Sequence, residues 1–262
     1  MRSTPEQRRR NDLWDLGNLV LPPRLELDHP LVKTPSFKRA QANMNAILKR
    51  DRMGILDGPP GTGKTTFAQW AAEKADRPSV IVAMPENPHP TDILRLSIVA
   101  LTGQNPVSVD KVPLSSELVD VLADWQGLLI IDEVQNVGLQ GLTQLRYVHD
   151  IIRPKVPFLL VGYGALTTVA TNAPLSERIK NRTRFKRLDL DDVFTAVRII
   201  APHLAETPDD VLRYADDTYG LGILRRWVNV LEHWTDWELD KPTRADVDDA
   251  VLSITGGSED AA

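Results

Sequence analysis

The chain has 262 residues, 42% of them hydrophobic and 26% charged, with a net charge of −5. That is the composition of a globular chain with room for one large domain, or one domain plus a small one. Its acidic balance argues against coating nucleic acid or anionic membrane through bulk charge and leaves only local basic patches for such contacts. It contains no cysteine, which excludes disulfides, thiolate chemistry and Cys-ligated zinc.

Residues 1–35 are polar and broken by Pro22, Pro23, Pro30 and Pro35, and read as an arm or irregular lead-in. Arg8, Arg9 and Arg10 form a short basic run there, suited equally to a free terminus or a partner- or DNA-contacting arm. Trp14, Leu16, Leu19, Val20 and Leu21 are apolar enough for part of it to pack on the body. The basic start lacks the apolar segment of a secretory signal. No run approaches the ~18 apolar residues that span a bilayer, so a cytoplasmic protein without membrane insertion is expected.

Residues 36–49 are expected to form a helix capped by Ser36, with Phe37, Ala40, Met44 and Ile47 on one face. Met53 to Asp57 then reads as a short buried strand, and Lys64 to Lys74 as a helix. Between them stands Gly58-Pro59-Pro60-Gly61-Thr62-Gly63-Lys64-Thr65, which fits G-x-x-x-x-G-K-[ST], the phosphate-binding P-loop. Glycines let the loop curl until successive backbone N–H groups point at phosphate oxygens, and the following helix adds its positive end. Lys64 is spaced to reach the β- and γ-phosphates, and the Thr65 hydroxyl to hold Mg²⁺. The cradle for ATP thus comprises 58–65, with Thr66 beside it. Strand, loop and helix follow in the order that such a loop requires.

Ser79–Met84 reads as a second buried strand and Thr91–Thr102 as a helix capped by Thr91. His89, alone between prolines, has no ligand partner at metal-binding spacing. A helix over Leu114–Trp125 precedes Leu128-Leu129-Ile130-Ile131-Asp132-Glu133. Four apolar residues followed by two acids describe a strand buried on both faces. Asp132 emerges at its end to hold Mg²⁺, and Glu133 is set to act as general base on the attacking water. These acids are expected on a strand adjacent to that of the loop.

Leu139–Ile152 carries Leu142, Leu145, Val148, Ile151 and Ile152 at helical spacing, a core stripe, and Pro157–Gly164 is the next strand and its exit turn. Strands separated by helices imply a parallel sheet in three layers. Arg178, Lys180, Arg182, Arg184 and Lys186 alternate, and in an extended strand would line one face with Ile179 and Phe185 on the other. Such a row can protect a solvated strand edge, or send one arginine to the phosphates of a neighbouring subunit; beside a P-loop the second reading is favoured.

From Asp191 onward helices are expected over Val193–Leu204, Asp209–Thr218, Ile223–Trp237 and Ala245–Ile254, with Pro208 and Thr243 marking starts. Trp227 and Trp234, seven apart, share a face of the third and suit core packing. The expected organisation is an arm over 1–35, an ATPase core over 36–190, a small helical lid over 191–255 and a disordered tail over 256–262.

GPPGTGKT (58–65) and LLIIDE (128–133) resemble the signatures of the AAA+ ATPases, across about residues 36–255. Within that family, DEVQNVGLQGLTQLRYVHD (132–150), FLLVGYGAL (158–166) and LSERIKNRTRFKRLDL (175–190) resemble the transposition-regulator branch of MuB, TniB, TnsC and ExeA-type proteins. The resemblance implies an α/β P-loop fold with a parallel sheet and a helical lid, ATP and Mg²⁺ as ligands, and assembly into rings or filaments of this chain on duplex DNA. A transposase would be the protein partner. It implies that Arg178 or Arg182 is an arginine finger acting across subunits. Arg225, ahead of Arg226, would reach back to the γ-phosphate, and Tyr163 would stand at the sensor 1 position, where the family usually has a smaller polar side chain. Contact with duplex DNA would fall to Arg8–Arg10, Lys33, Lys38, Arg39 and part of 178–187, acting on phosphates without regard to sequence. The alternative is an ExeA-like ATPase that acts on a protein partner without binding DNA.

Overall fold

The computed structural model describes residues 20–21, 25 and 27–256. The chain divides into two compact units: the first takes residues up to Leu25, Ala40–Asp57 and Thr65–Thr183, and the second Glu26–Arg39, Gly58–Lys64 and Arg184 onward.

The first unit is built on a sheet of six strands: β1 Val20–Leu21, β2 Met53–Asp57, β3 Ser79–Ala83, β4 Leu128–Asp132, β5 Phe158–Gly162 and β6 Ile179–Arg184. Their spatial order is β1-β3-β4-β5-β2-β6. β3 with β4, β4 with β5 and β5 with β2 pair parallel, in a register that sets Ile55 opposite Leu160 and Ile130 opposite Leu159. The helices between them are α1 Pro35–Arg50, α2 Lys64–Lys74, α3 Asp92–Thr102, α4 Lys111–Trp125, α5 Gly138–Ile151, α6 Ala165–Ala170 and α7 Ala173–Arg178.

Every residue of β4 and β5 is buried, as a parallel sheet covered on both faces requires. On one face Met53, Ile55, Leu129, Ile131, Phe158 and Leu160 pack in one cluster with Ile93, Leu118 and Leu145 from the helices. On the other, a Cβ added at Gly54 would lie 2.1 Å from Ile47 Cδ1, so α1 sits directly against β2. Ile81, Leu128, Ile130, Leu159 and Val161 are buried too, as are Phe67 and Ala68 of α2. Each of these Ile, Leu, Val, Met and Phe side chains removed from water contributes about 1.5–3 kcal/mol. The expected three-layer α/β fold is present.

Several expectations are corrected. β5 lies between β2 and β4, so the acids of β4 are one strand removed from the strand of the loop, not adjacent to it. β1 joins β3 antiparallel, within a stretch read from sequence as an irregular lead-in. Arg8–Arg10, Trp14, Leu16, Leu19 and 257–262 lie outside the described residues. α1 begins at Pro35, and its cap is Thr34, whose Oγ1 accepts from Phe37 N at 3.1 Å; Ser36 lies inside the helix. Proline suits the first helical turn because no N–H is needed there. Thr91 makes no cap bond in front of α3; instead Asp92 Oδ2 accepts from His89 N at 2.7 Å. Ile151, expected in the core stripe, is exposed.

In the second unit the helices are α8 Leu190–Ile200, α9 Asp209–Ala215, α10 Leu224–Asp236 and α11 Arg244–Thr255. The first predicted helix stops at Ile200, because Pro202 lacks a donor and clashes with the preceding turn; Pro202–Leu204 form a 3₁₀ turn. The second gives way at Asp216–Gly220 to a π turn. Val193, Val197, Leu212, Trp227, Leu231 and Trp234 form the core. Trp227 Nε1 donates to Asp216 Oδ1 at 2.8 Å and Trp234 Nε1 to Asp246 O at 3.3 Å, satisfying the polar edges of two buried rings. Thr243 and Asp246 form a reciprocal capping box at the start of α11.

Candidate functional site

The chain leaves β2 at Asp57 and enters the loop at Gly58. Gly58 has φ +156°, and a Cβ there would fall 2.2 Å from the carbonyl oxygen of Phe185, so the backbone passes where no side chain fits. Lys64 is buried; its Nζ donates to Gly58 O at 2.7 Å and Pro59 O at 2.9 Å. Thr62 Oγ1 donates to Pro59 O at 2.8 Å and tightens the curl. The ammonium is therefore already inside the loop, held by neutral carbonyl dipoles that a stronger anionic acceptor can replace. Pro60, Gly63 and Thr66 complete the stretch, Thr66 within the first turn of α2.

Arg225 is seated against this loop: its backbone N donates to Gly61 O at 3.1 Å, and a Cβ on Gly61 would be 3.0 Å from Arg225 Cβ. Its neighbour Arg226 is committed elsewhere, with Nη1 donating to Tyr219 O at 3.0 Å and the guanidinium 5.3 Å from the Tyr219 ring centre. The geometry favours Arg225 over Arg226 as the arginine presented to the loop.

Thr65, the next residue after Lys64, opens the array of the first unit. Its Oγ1 donates to Asp132 Oδ2 at 2.7 Å. Asp132 is buried, and its second oxygen, Oδ1, accepts from Glu133 N at 2.8 Å. A hydroxyl and a carboxylate oxygen brought to hydrogen-bond distance are hard oxygen donors of the type that Mg²⁺ takes, so the residues present fit that ion. Glu133 itself is exposed, in the left-handed region at φ 53°, ψ 37°. Its backbone turns sharply out of β4 and its carboxylate accepts from Gln135 Nε2.

Tyr163 follows the last residue of β5 and is exposed, while its backbone N donates to Gln135 Oε1 at 3.0 Å. Gln135 thus joins the end of β4 to the end of β5. Within the string Asp132-Glu133-Val134-Gln135 nothing in the spacing marks it for a role; only the fold brings the two strand ends together.

The two candidate arginine fingers are not alike. Arg178 ends α7 rather than lying in the strand expected from the alternation of cations, and its Nε bonds Asp150 Oδ1 at 2.7 Å with the side chain 53% exposed. Arg182 lies in β6 and binds its own neighbourhood: Nε to Ile179 O at 2.7 Å, Nη2 to Ser176 O at 2.6 Å and to Ser176 Oγ at 2.7 Å. The rest of the alternation holds: Lys180, Arg182 and Arg184 are exposed while Ile179 and Phe185 are buried. Lys38 and Arg39 are exposed on α1.

In the second unit a separate cavity of about 310 Å³ is lined by Leu31, Val32, Lys38, Asp192 and Ile199, among others. Burial, with Asp189 alongside, pushes the Asp192 carboxyl above its ordinary range. The lining contains no residue of 58–65, so this cavity is distinct from the phosphate loop. Among the described residues no cluster of His, Asp and Glu could itself form a metal site, and no helix is long and apolar enough to cross a membrane.

Residues 47–169 match the family model of the AAA domain. Over 185 residues the chain is 27% identical to the ATP-dependent target DNA activator B of Escherichia phage Mu, covering 68% of this chain and 56% of that protein. The protein of the same name from Escherichia phage D108 gives the same identity and coverage. The chain thus spans about half the length of these curated relatives. Among solved structures, Cdc6p from Pyrobaculum aerophilum superposes with a TM-score of 0.71 at 16% identity, covering 90% of this chain and 72% of that one. At that identity the likeness establishes the fold.

Proposed function

Proceeding from a chain whose residues 47–169 match the family model of the AAA domain, we propose that this protein is an ATP-hydrolysing switch that assembles with copies of itself on duplex DNA and regulates transposition, presenting target DNA to a transposase. The observation that carries the DNA-directed part is the 185-residue similarity to the target DNA activators of phages Mu and D108. The ATP-directed part is supported by Lys64 already inside the loop and by the Thr65–Asp132 pair.

In the proposed reaction Lys64 leaves the carbonyls of Gly58 and Pro59 to hold the β- and γ-phosphates of ATP, with the N–H groups of 58–65 around them. Thr65 and Asp132 would hold Mg²⁺, which would supply positive charge against the phosphoryl oxygens. Glu133 takes the proton of the attacking water as general base. Arg225 reaches the γ-phosphate from the same chain, and Tyr163 stands where a side chain can orient the water. Of the trans-acting candidates Arg178 is the stronger, since one ion pair holds it where Arg182 is tied by three bonds. Lys33, Lys38, Arg39 and part of the 178–187 stretch, Arg178 apart, are assigned to the DNA backbone, which makes binding steeply salt-dependent.

The test is ATPase activity per subunit against protein concentration, with and without duplex DNA, together with a low-salt gel shift in ATP and in ADP. Turnover that rises with both, and a shift only in ATP, is expected. ATP hydrolysis with no shift on duplexes of any length would transfer the reading to an ATPase that acts on a protein partner. Absence of hydrolysis under all these conditions would overturn the enzymatic reading.

A further inference from the structure

We propose that Gln135 is a positioning residue for Glu133: its side-chain amide clamps the Glu133 carboxylate to the backbone at the end of β5 and so fixes the direction in which the carboxylate faces. This rests on the reading of Glu133 as general base and extends it to a residue to which neither motif nor comparison gives a role.

The chemistry of the two partners fixes the amide's orientation. A carboxylate can only accept, so it must meet the NH₂ end; a backbone N–H can only donate, so it must meet the oxygen. Gln135 Nε2 faces Glu133 Oε2, and Oε1 lies 3.0 Å from Tyr163 N. One planar group is thereby held at both ends by strand termini that are not sequence neighbours. The turn that carries it is anchored independently: Val134 and Val137 are buried on either side, and Asn136 Nδ2 donates to Met84 O at 3.0 Å.

The floor beneath the amide is equally specific. A Cβ on Gly162 would lie 2.4 Å from Gln135 Oε1 and 3.0 Å from Val134 Cγ1. Any side chain at 162 therefore displaces the amide, and the glycine is required by Gln135 rather than by its own backbone. Asp132 contributes from the other side, since Oδ1 holds Glu133 N while Oδ2 holds Thr65. Main chain and side chain of Glu133 are thus fixed by two different neighbours, and an aligned base is the one that reacts.

Two substitutions separate the functions of the amide. Gln135→Leu removes both bonds at similar volume. Gln135→Glu keeps the acceptor for Tyr163 N but replaces the donor to Glu133 with a like charge. Both are expected to lower kcat at least tenfold, with KM for ATP and binding of a fluorescent ATP analogue changed less than threefold, since the side chain of Gln135 bonds Glu133 and the Tyr163 amide and is no part of the 58–65 motif. In nucleotide-free protein, hydrogen exchange at the Tyr163 amide should quicken at least tenfold in Gln135→Leu and stay near wild type in Gln135→Glu. Gly162→Ala should resemble Gln135→Leu in both measurements. Wild-type kcat in both Gln135 variants, or unchanged Tyr163 exchange in Gln135→Leu, overturns the proposal while leaving the ATPase reading intact. If the wild-type protein hydrolyses no ATP, the function proposed above fails, whereas the exchange measurement still decides whether the clamp exists. Should Gln135→Leu fail to fold, Gln135→Glu decides by kcat against KM.

Discussion

His149, near the end of α5, makes stability depend on pH in a way that the structure allows to be worked out. The side chain is 7% exposed, edge-on to the Phe158 ring at 5.1 Å between centres. Nε2 lies 3.2 Å from Asp51 O, so the neutral ring carries its proton there and donates; Nδ1 is buried without a partner. Burial, reinforced by the Lys155 ammonium, lowers its pKa from 6.5 to about 4, against smaller opposing effects of the Asp51 carbonyl and Asp150. A base with a lowered folded pKa costs nothing above its unfolded pKa, where both states are neutral. As pH falls through 6.5 the unfolded chain takes up the proton first, and stability is lost until the folded ring also titrates near 4. The full loss is about 3 kcal/mol below pH 4, of which about 2 kcal/mol is already felt at pH 5. The assay is urea unfolding followed by circular dichroism at pH 7.5 and 5.0, for wild type and His149→Gln. The variant should be less stable at pH 7.5, having lost the ring's packing. Its further fall to pH 5.0 should be smaller than that of wild type by about 2 kcal/mol. Equal falls, or an NMR titration of His149 near 6.5, would refute the reasoning.

Gly58→Ala would drive a methyl group into the Phe185 carbonyl; nucleotide affinity, read with a fluorescent ATP analogue, should drop at least tenfold, and near-normal affinity would contradict the close approach seen there. Glu133→Gln should lower kcat by about 10²–10⁴ while ATP binding is retained, so that ATP-stabilised assemblies accumulate on size-exclusion chromatography; unimpaired turnover would remove Glu133 as the base. Trp234→Ala empties the centre of the helical unit and should cost about 3–5 kcal/mol in denaturant unfolding, so a loss below about 1 kcal/mol would mean that this core is not packed as described.

Sequence alone determined the layered α/β class, the loop at 58–65, the acids Asp132 and Glu133, and the helical region after Asp191. Each is written in short-range spacing: glycines where a loop must curl, a fully apolar run where a strand is buried on both faces, and a 3.6-residue stripe where a helix faces a core. Small local rules misled it at Ser36 and Thr91, which look like caps, whereas Thr34 bonds Phe37 N and Asp92 bonds His89 N. What the sequence could not determine was which strand ends meet. Insertion of β5 between β2 and β4 is a matter of sheet order, decided by pairing between strands distant in sequence, and no local pattern records it. The same is true of Gln135, whose partners lie 2 and 28 residues away, and of the difference between Arg178 and Arg182, which alternate identically on paper. One ends a helix beside Asp150, and the other folds back onto Ser176 and Ile179. Their contacts are long-range or set by where an element stops, and those are decided only once the core has closed.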